Sequence, residues 1–206
     1  MPVTDYIEVT ISWLFSNFRG RDDGLFITNP AFKSCSKPTI AITSPDCGET
    51  NAQLGLDYTH DGAGKFPELS WQVPGDLKDE VQEWLLVSED PDAPLPSPIV
   101  HGIYGGIPPT RTFVVASDFA VVDESKALLN GGFHYGVNRR GSVYIPPRPL
   151  LNHGVHRYFF FIVGLSEPLD QVVLAAKATR EQIVEEIQGK VIGWGQWVGK
   201  CERVWK

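Results

Sequence analysis

Short apolar stretches separated by turn-forming residues dominate the chain from residue 25 to residue 165. They are rich in β-branched and aromatic residues, and Gly, Pro, Asn or Asp interrupts them. The clearest are TIAIT (39–43), EWLLVS (83–88), IVHGIYG (99–105), RTFVVA (111–116) and HRYFFFIVGL (156–165). Many short strands with frequent turns predict an antiparallel β-sandwich or barrel.

Helical patterns are confined to the two ends of the chain. Residues 5–18 predict an amphipathic helix, whose apolar face consists of Ile7, Ile11, Leu14, Phe15 and Phe18. That face needs a cover: its own domain, a second copy in a homodimer, or a cavity over which it closes as a lid. Near the other end, Thr179 and Gln182 form a capping box that predicts a helix at about 179–189. We therefore expect an N-terminal helical extension (1–23) and one mostly-β domain (24–206).

Charge and cysteine use restrict the classes of partner and compartment. The net charge of −7 disfavours nucleic acid and anionic membranes. No apolar run approaches the roughly 20 residues that span a bilayer. The start of the chain carries Asp5 and Glu8 where a signal peptide would be basic. Cys35, Cys47 and Cys201 are few and odd in number, which indicates a reducing, cytoplasmic location, with a Cys35–Cys47 bridge left open.

The segment EDPDAPLPSPIVH (89–101) places two carboxylates directly after a predicted core strand. Asp90 and Asp92 flank a proline, and three more prolines precede His101. By itself this pattern is more typical of a solvated turn than of a functional site. The alternative is a cleft that holds both carboxylates for chemistry.

A second segment, YIPPRPLLNHGVHRYFFFIVGL (144–165), also places prolines before histidines and a strand. In an extended strand His156 and Tyr158 point to one face and Arg157 to the other. The face of His156 and Tyr158 continues through Phe160, so both polar groups end a core-facing row.

These two segments together resemble the signature blocks of the phosphatidylethanolamine-binding protein family. The blocks are DPDAP (90–94) followed by His101, and PP (146–147) followed by HRY (156–158). Further segments similar to the family are HDGAGKFPELSWQVP (60–74), GVNRRGSVYIPPRP (136–149) and ATREQIVEEIQGKVIGWGQWVGKCER (178–203). The resemblance covers about residues 24–204 and is greatest to the bacterial and fungal branch.

The resemblance implies a two-sheet antiparallel β-sandwich with a cavity that binds phosphate, acetate or phospholipid headgroups. Its implied wall consists of Asp90, Asp92, His101, Pro147, His156 and Tyr158, and the family also suggests a cis Ala93–Pro94 bond. Two carboxylates beside such a site cannot both stay charged at low cost. One of them should therefore have a raised pKa and donate a hydrogen bond, while the imidazoles donate to the anion.

The chain also departs from the family around this cavity. Smaller or aliphatic residues replace bulkier ones at Ile99, Gly102, Gly105 and Gly106, which predicts a wider mouth. The loop RPLLNHGV (148–155) is longer than the common form and should bring Leu150, Leu151 and His153 to the rim. A larger, partly apolar ligand fits these changes better than inorganic phosphate does.

Three classes of function remain open. The favoured one is an isomerase- or cyclase-type enzyme, or an auxiliary protein, that acts on an anionic carboxylate or phosphate in fungal-type secondary metabolism, with another biosynthetic protein as a partner. The second is a non-catalytic binder of phospholipid or a phosphorylated ligand. The third is a kinase or protease inhibitor that acts by protein contact.

Any chemistry should be acid–base chemistry without a metal or cofactor. The sequence has no nucleophile elbow, P-loop, dinucleotide fingerprint or metal motif. The spacing of His153 and His156 suits zinc, but no third ligand lies at sensible spacing. We expect His156 to act as the general acid or base, helped by the other candidate catalytic residues, Asp90, Asp92, His101 and Tyr158.

Overall fold

The computed structural model describes residues 3–205, which form two β-sheets and three α-helices. The strands are β1 (Ala41–Thr43), β2 (Ala52–Gln53), β3 (Leu69–Gln72), β4 (Glu83–Asp90), β5 (Ile99–Ile107), β6 (Phe113–Val114), β7 (Val121–Asp123), β8 (Leu128–Leu129), β9 (His134–Tyr135), β10 (His156–Leu165) and β11 (Val191–Cys201). The helices are α1 (Val3–Leu14), α2 (Gln171–Ala175) and α3 (Arg180–Glu186). No helix in this part of the chain is long and apolar enough to cross a membrane.

The two sheets differ greatly in size. The small sheet has the order β1-β3-β6, and the large one has the order β2-β11-β10-β4-β5-β9-β8-β7. All pairs are antiparallel except β2 with β11. The predicted two-sheet antiparallel sandwich is therefore confirmed.

The centre of the large sheet is covered on both faces, which explains its unbroken apolar runs. In β4, Trp84 and Leu86 point into the core between the two sheets. Leu85 and Val87 point into a second core beneath α2, α3 and the turns of residues 22–32. In β10 the same alternation places even-numbered side chains between the sheets.

The predicted elements match the structure well except before residue 41. Residues 26–32, where strands were expected, form two short 3₁₀ turns. The capping box at α3 is present: the Thr179 hydroxyl accepts from the Gln182 backbone N–H, and the Gln182 side chain accepts from the Thr179 backbone N–H. All three cysteines are free, so Cys35 and Cys47 do not pair. No peptide bond among the described residues is cis, so the expectation of a cis bond at Ala93–Pro94 was wrong.

Helix α1 lies on its own domain, but most of its apolar face is exposed. Ile7 and Leu14 are 54% and 59% exposed, whereas Ser12 is buried. Polar groups contribute to the contact: one carboxylate oxygen of Glu8 accepts from the backbone N–H of Leu151 at 3.0 Å. Its own domain therefore does not cover most of the apolar face, and a homodimer contact stays a prediction.

Candidate functional site

A cavity of about 490 Å³ lies at the end of the large sheet where β4 stops and β10 begins. Antiparallel pairing brings these two strand ends together, with Glu89 opposite Phe159. The β4–β5 pairing places Asp90 opposite Ile99, two residues before His101. Sheet register thus collects groups that are far apart in sequence, at a volume typical of small-molecule sites.

Three of the predicted site residues line this cavity: Asp90, His101 and Tyr158. All three are buried, and the His101 and Tyr158 rings meet edge to face with centroids 5.0 Å apart. Burial raises the pKa of the Tyr158 hydroxyl well above its ordinary value. Tyr158 can therefore serve as a neutral hydrogen-bonding group but not as a phenolate base near neutral pH.

His101 lines the cavity and has an unpartnered ring nitrogen. Its Nδ1 lies 2.5 Å from the carbonyl oxygen of Ile145, so Nδ1 carries the proton and donates. Burial lowers the pKa of His101, although the Asp90 carboxylate and the Ile145 carbonyl act against that shift. The neutral ring consequently has a bare Nε2, which is buried and has no hydrogen-bond partner within the described chain. The bare nitrogen of an imidazole that lines a cavity is suited to accept a proton.

His156 lies behind the cavity wall rather than on it. Its Nδ1 is 2.9 Å from Asp90 Oδ2, and its Nε2 is 2.8 Å from Nδ1 of His153. His153 in turn places its Nε2 3.0 Å from the carbonyl oxygen of Phe15. Both nitrogens of His156 are thus occupied by protein groups, and the structure does not support His156 as the group that faces the ligand.

The chain of hydrogen bonds fixes where its protons lie. The Phe15 carbonyl can only accept, so His153 Nε2 carries a proton. Burial lowers the pKa of His153, despite the Phe15 carbonyl, so the ring is neutral and its Nδ1 accepts from His156 Nε2–H. One further proton lies between His156 Nδ1 and Asp90 Oδ2. That hydrogen bond lies behind the cavity wall, and the other oxygen of Asp90, Oδ1, accepts from the Asp92 backbone N–H at 2.7 Å.

Asp92 faces away from the cavity and is held as an anion. Its Oδ2 accepts from the backbone N–H and Nε–H of Arg157, both within 2.9 Å, and its Oδ1 accepts from Arg157 Nη2–H and the Gly20 backbone. Burial alone would raise the pKa of Asp92, but these bonds outweigh it and the pKa is lowered. Asp92 is therefore not the protonated member of the carboxylate pair.

The remaining predicted residues support the wall from behind. Pro147 is buried, and its carbonyl accepts from the His60 backbone, while the adjacent Pro146 lines the cavity. His153 and Leu151 are buried rather than at the rim, whereas Leu150 does line the cavity.

The predicted widening of the mouth by glycines is not found. A side chain at Gly102 would collide with the Tyr104 hydroxyl, and one at Gly105 would collide with Leu174. A side chain at Gly106 would contact Leu174 as well as His134. These glycines make room for neighbouring side chains and not for a ligand.

Three arginines that sequence reasoning missed also line the cavity: Arg139, Arg140 and Arg148. Arg148 lies 3.5 Å from a Glu8 carboxylate oxygen. The guanidinium groups of Arg139 and Arg140 have no hydrogen-bond or ion-pair partner among residues 3–205. The adjacent arginines in GVNRRG were the available signal. Two free guanidinium groups beside a neutral base are suited to hold an anion.

The rest of the wall is apolar and has two sources. The family-like domain contributes Leu95, Ile99, Ile145 and Leu150. The N-terminal segment contributes Ile11 and Phe15, and the lid alternative stays a prediction. No cluster of three or more His, Cys, Asp or Glu residues suited to a metal lies within 3–205.

Comparison with known proteins gives consistent matches. The family model described as phosphatidylethanolamine-binding protein matches residues 44–202. Phomoidride biosynthesis cluster protein B of Talaromyces stipitatus is 45% identical over 97% of this chain and 82% of its own length. The protein of the same name from Fungal sp. is 43% identical over 97% of this chain and 95% of its own length. Among solved structures, a phosphatidylethanolamine-binding protein homologue of Chlamydia trachomatis has a TM-score of 0.63 at 24% identity, covering 81% of this chain and 99% of that one.

Proposed function

Because this chain belongs to the phosphatidylethanolamine-binding protein family, we propose that its cavity binds an anionic small molecule and performs acid–base chemistry on it. The two relatives whose names refer to a biosynthesis cluster, at 45% and 43% identity, support a role in fungal-type secondary metabolism. In that setting the substrate is a pathway intermediate, and an isomerase- or cyclase-type step is the chemistry that the site supports best.

One observation carries this proposal: His101, whose buried Nε2 has no partner among the described residues, lines the same cavity as Arg139 and Arg140. A carboxylate or phosphate would pair with Arg139 and Arg140, which have no partner of their own among the described residues. The base would then lie beside an anchored ligand. Because the His101 ring is already neutral, it would not have to lose a proton before it accepts one from the ligand. General base catalysis of this kind contributes on the order of 10²–10⁴ in rate.

In an isomerisation, the proton that the site removes from the ligand is also the proton that it returns. His101 Nε2 takes a proton from a carbon next to a carbonyl of the ligand and becomes an imidazolium. Arg140 stabilises the enolate as its oxygen gains charge. Return of the proton from His101 to a different carbon completes the step. No oxidant, reductant or nucleophile is needed.

Exchange of ligand protons with heavy water tests this base directly. The protein is incubated in D₂O with a panel of 2-oxo and 3-oxo carboxylic acids of increasing chain length, and loss of the C–H signals is followed by proton NMR. We expect catalysed exchange for at least one acid, and His101→Gln should slow it by about 10²-fold or more.

His134→Gln is the matched control. His134 also places Nδ1 near a backbone carbonyl, that of Lys126 at 2.8 Å, but it lies outside the cavity lining. The control should exchange at the unaltered rate. Exchange that survives His101→Gln in full would overturn the assignment of the base.

A non-catalytic binder is the second candidate, and the arginines favour it as much as they favour an enzyme. Free guanidinium groups can hold phosphate or a phospholipid headgroup with no later step. Binding of phosphate without exchange of any acid in the panel would establish this reading instead.

A further inference from the structure

The N-terminal strap, defined as residues 8–21, lies outside the family match at 44–202. It is nevertheless fastened to the long loop on one side of the cavity. Glu8 accepts from the backbone N–H of Leu151 at 3.0 Å, and Arg19 donates to the carbonyl oxygens of His153 and Val155. A 97% alignment of this chain with the Talaromyces relative includes most of the strap.

The strap is fastened equally to the other side of the cavity. The Gly20 backbone N–H donates to Asp92 Oδ1 at 3.0 Å, and the Arg21 backbone N–H donates to the Pro91 carbonyl at 3.0 Å. These contacts reach the first signature block, while those of Glu8 and Arg19 reach the loop 148–155 between the two parts of the second block. The strap is therefore anchored on both sides of the cavity, and Ile11 and Phe15 lie between the contacts of Glu8 and Arg19.

Between its anchors the strap contributes two kinds of group to the site. Ile11 and Phe15 line the cavity and are only 37% and 39% exposed, whereas Trp13 and Leu14 on the outside are 75% and 59% exposed. The backbone carbonyl of Phe15 ends the hydrogen-bond chain through His153. A helix with no role in the site would not be expected to supply both cavity-lining side chains and a hydrogen-bond acceptor for His153.

We infer that the strap is a working part of the ligand site: Ile11 and Phe15 select ligands with an apolar portion, and the Phe15 carbonyl acts through His153 and His156 to hold a proton at Asp90. His153 and His156 are then positioning residues. This inference rests on the proposed function in that it concerns the same cavity.

The apolar half of the inference is tested with two carboxylate probes, acetate and octanoate, by calorimetry on the full-length protein. Phe15→Ala should weaken octanoate about fivefold to tenfold and change acetate less than about twofold. Leu14→Ala, its neighbour on the outer side of the strap, should change neither. Equal octanoate affinity in the two variants would contradict the inference that Phe15 contacts the apolar part of the ligand.

The proton half is tested without any ligand, by nitrogen-15 NMR of the imidazole rings. Only five histidines are present, so the ring signals can be assigned by substitution. In the unaltered protein His153 should carry its proton on Nε2 and have a bare Nδ1, and His156 should be protonated on Nε2. A proton on Nδ1 of His153 would overturn this arrangement.

Two substitutions at His153 separate positioning from simple packing. His153→Gln keeps one donor and one acceptor, and the nitrogen-15 shift of His156 Nε2 should stay near its original value. His153→Leu removes both, and that shift should change clearly. Releasing the strap with Glu8→Ala and Arg19→Ala together should give a mixed His153 tautomer but leave the ring of His101 unaffected.

The outcomes distinguish the two proposals. If neither acetate nor octanoate binds the unaltered protein, the proposed function fails. The nitrogen-15 NMR measurement still tests whether the strap determines the positions of the protons on His153 and His156. If both probes bind but Phe15→Ala and the strap release have no effect, the strap inference fails alone.

Discussion

Asp90 and Asp92 are two residues apart, yet their surroundings give them different chemistry. Asp90 is the last residue of β4 and shares the inward parity of Trp84 and Leu86, so it reaches the cavity and His156. Asp92 follows the end of the strand and turns to Arg157. Asp90 therefore shares a hydrogen bond with His156. Asp92 instead binds the strap at Gly20 and β10 at Arg157 as an anion.

Asp92→Asn should destabilise the fold by about 2–3 kcal/mol at pH 7, because it removes a charged acceptor that is itself buried. Urea unfolding measures the change. Asp22→Asn is the matched control: Asp22 binds the same guanidinium at 2.7 Å but is half exposed, so its loss should cost only about 0–1 kcal/mol. Equal costs would show that burial does not control this ion pair.

The same pair predicts a pH dependence with a definite sign. The folded-state pKa of Asp92 lies below the ordinary value of 3.8, so the folded protein binds this proton less tightly than the unfolded chain does. The stabilisation is complete above pH 3.8 and is lost as the pH falls through the lowered value. The difference in unfolding free energy between the parent and Asp92→Asn should therefore shrink in acid.

At the scale of the element, α3 shows how a short helix is held on a sheet. Its capping box satisfies backbone groups at Thr179, and Arg180 reaches the buried Glu89 of β4 at 2.7 Å. Because seven residues give little helical stability of their own, these terminal contacts and the burial of Ile183 must supply it.

Thr179→Ala should lower the unfolding free energy by about 1 kcal/mol, since the cap to Gln182 is lost. Thr10→Ala in α1 is a like-for-like control: its hydroxyl donates to the Tyr6 carbonyl within the helix and caps no terminus. Thermal unfolding of both variants should show a clear loss only for Thr179→Ala. Similar losses would mean that the capping box contributes nothing specific.

Elements that depend on local pattern can be predicted from the sequence, and contacts that depend on distant loops cannot. Strand periodicity alone places Tyr158 inward and Arg157 outward, and the capping box alone places α3. The proton state of His101 depends on a carbonyl 44 residues away at Ile145, and the partners of His156 include the strap through His153. The cavity arginines come from loops whose path no periodicity specifies.

For the molecule as a whole, the cavity is an exception to the overall charge. The protein carries a net charge of −7, so its average field repels anions. Arg139, Arg140 and Arg148 nevertheless lie together at one opening. Any specific stabilisation by an anion should therefore come from this opening and not from a general attraction to the surface.

Inorganic phosphate should accordingly raise the thermal stability of the intact domain, because a ligand that binds only the folded state stabilises it by mass action. The gain is about 2.7 kcal/mol at 100 times the dissociation constant. Arg139→Gln with Arg140→Gln should abolish most of it. Lys33→Gln with Lys37→Gln makes the same change in net charge at exposed positions outside the cavity lining, and that variant should keep the full gain. A parallel loss in both double variants would mean that phosphate responds to net charge alone, and the cavity would no longer account for anion binding.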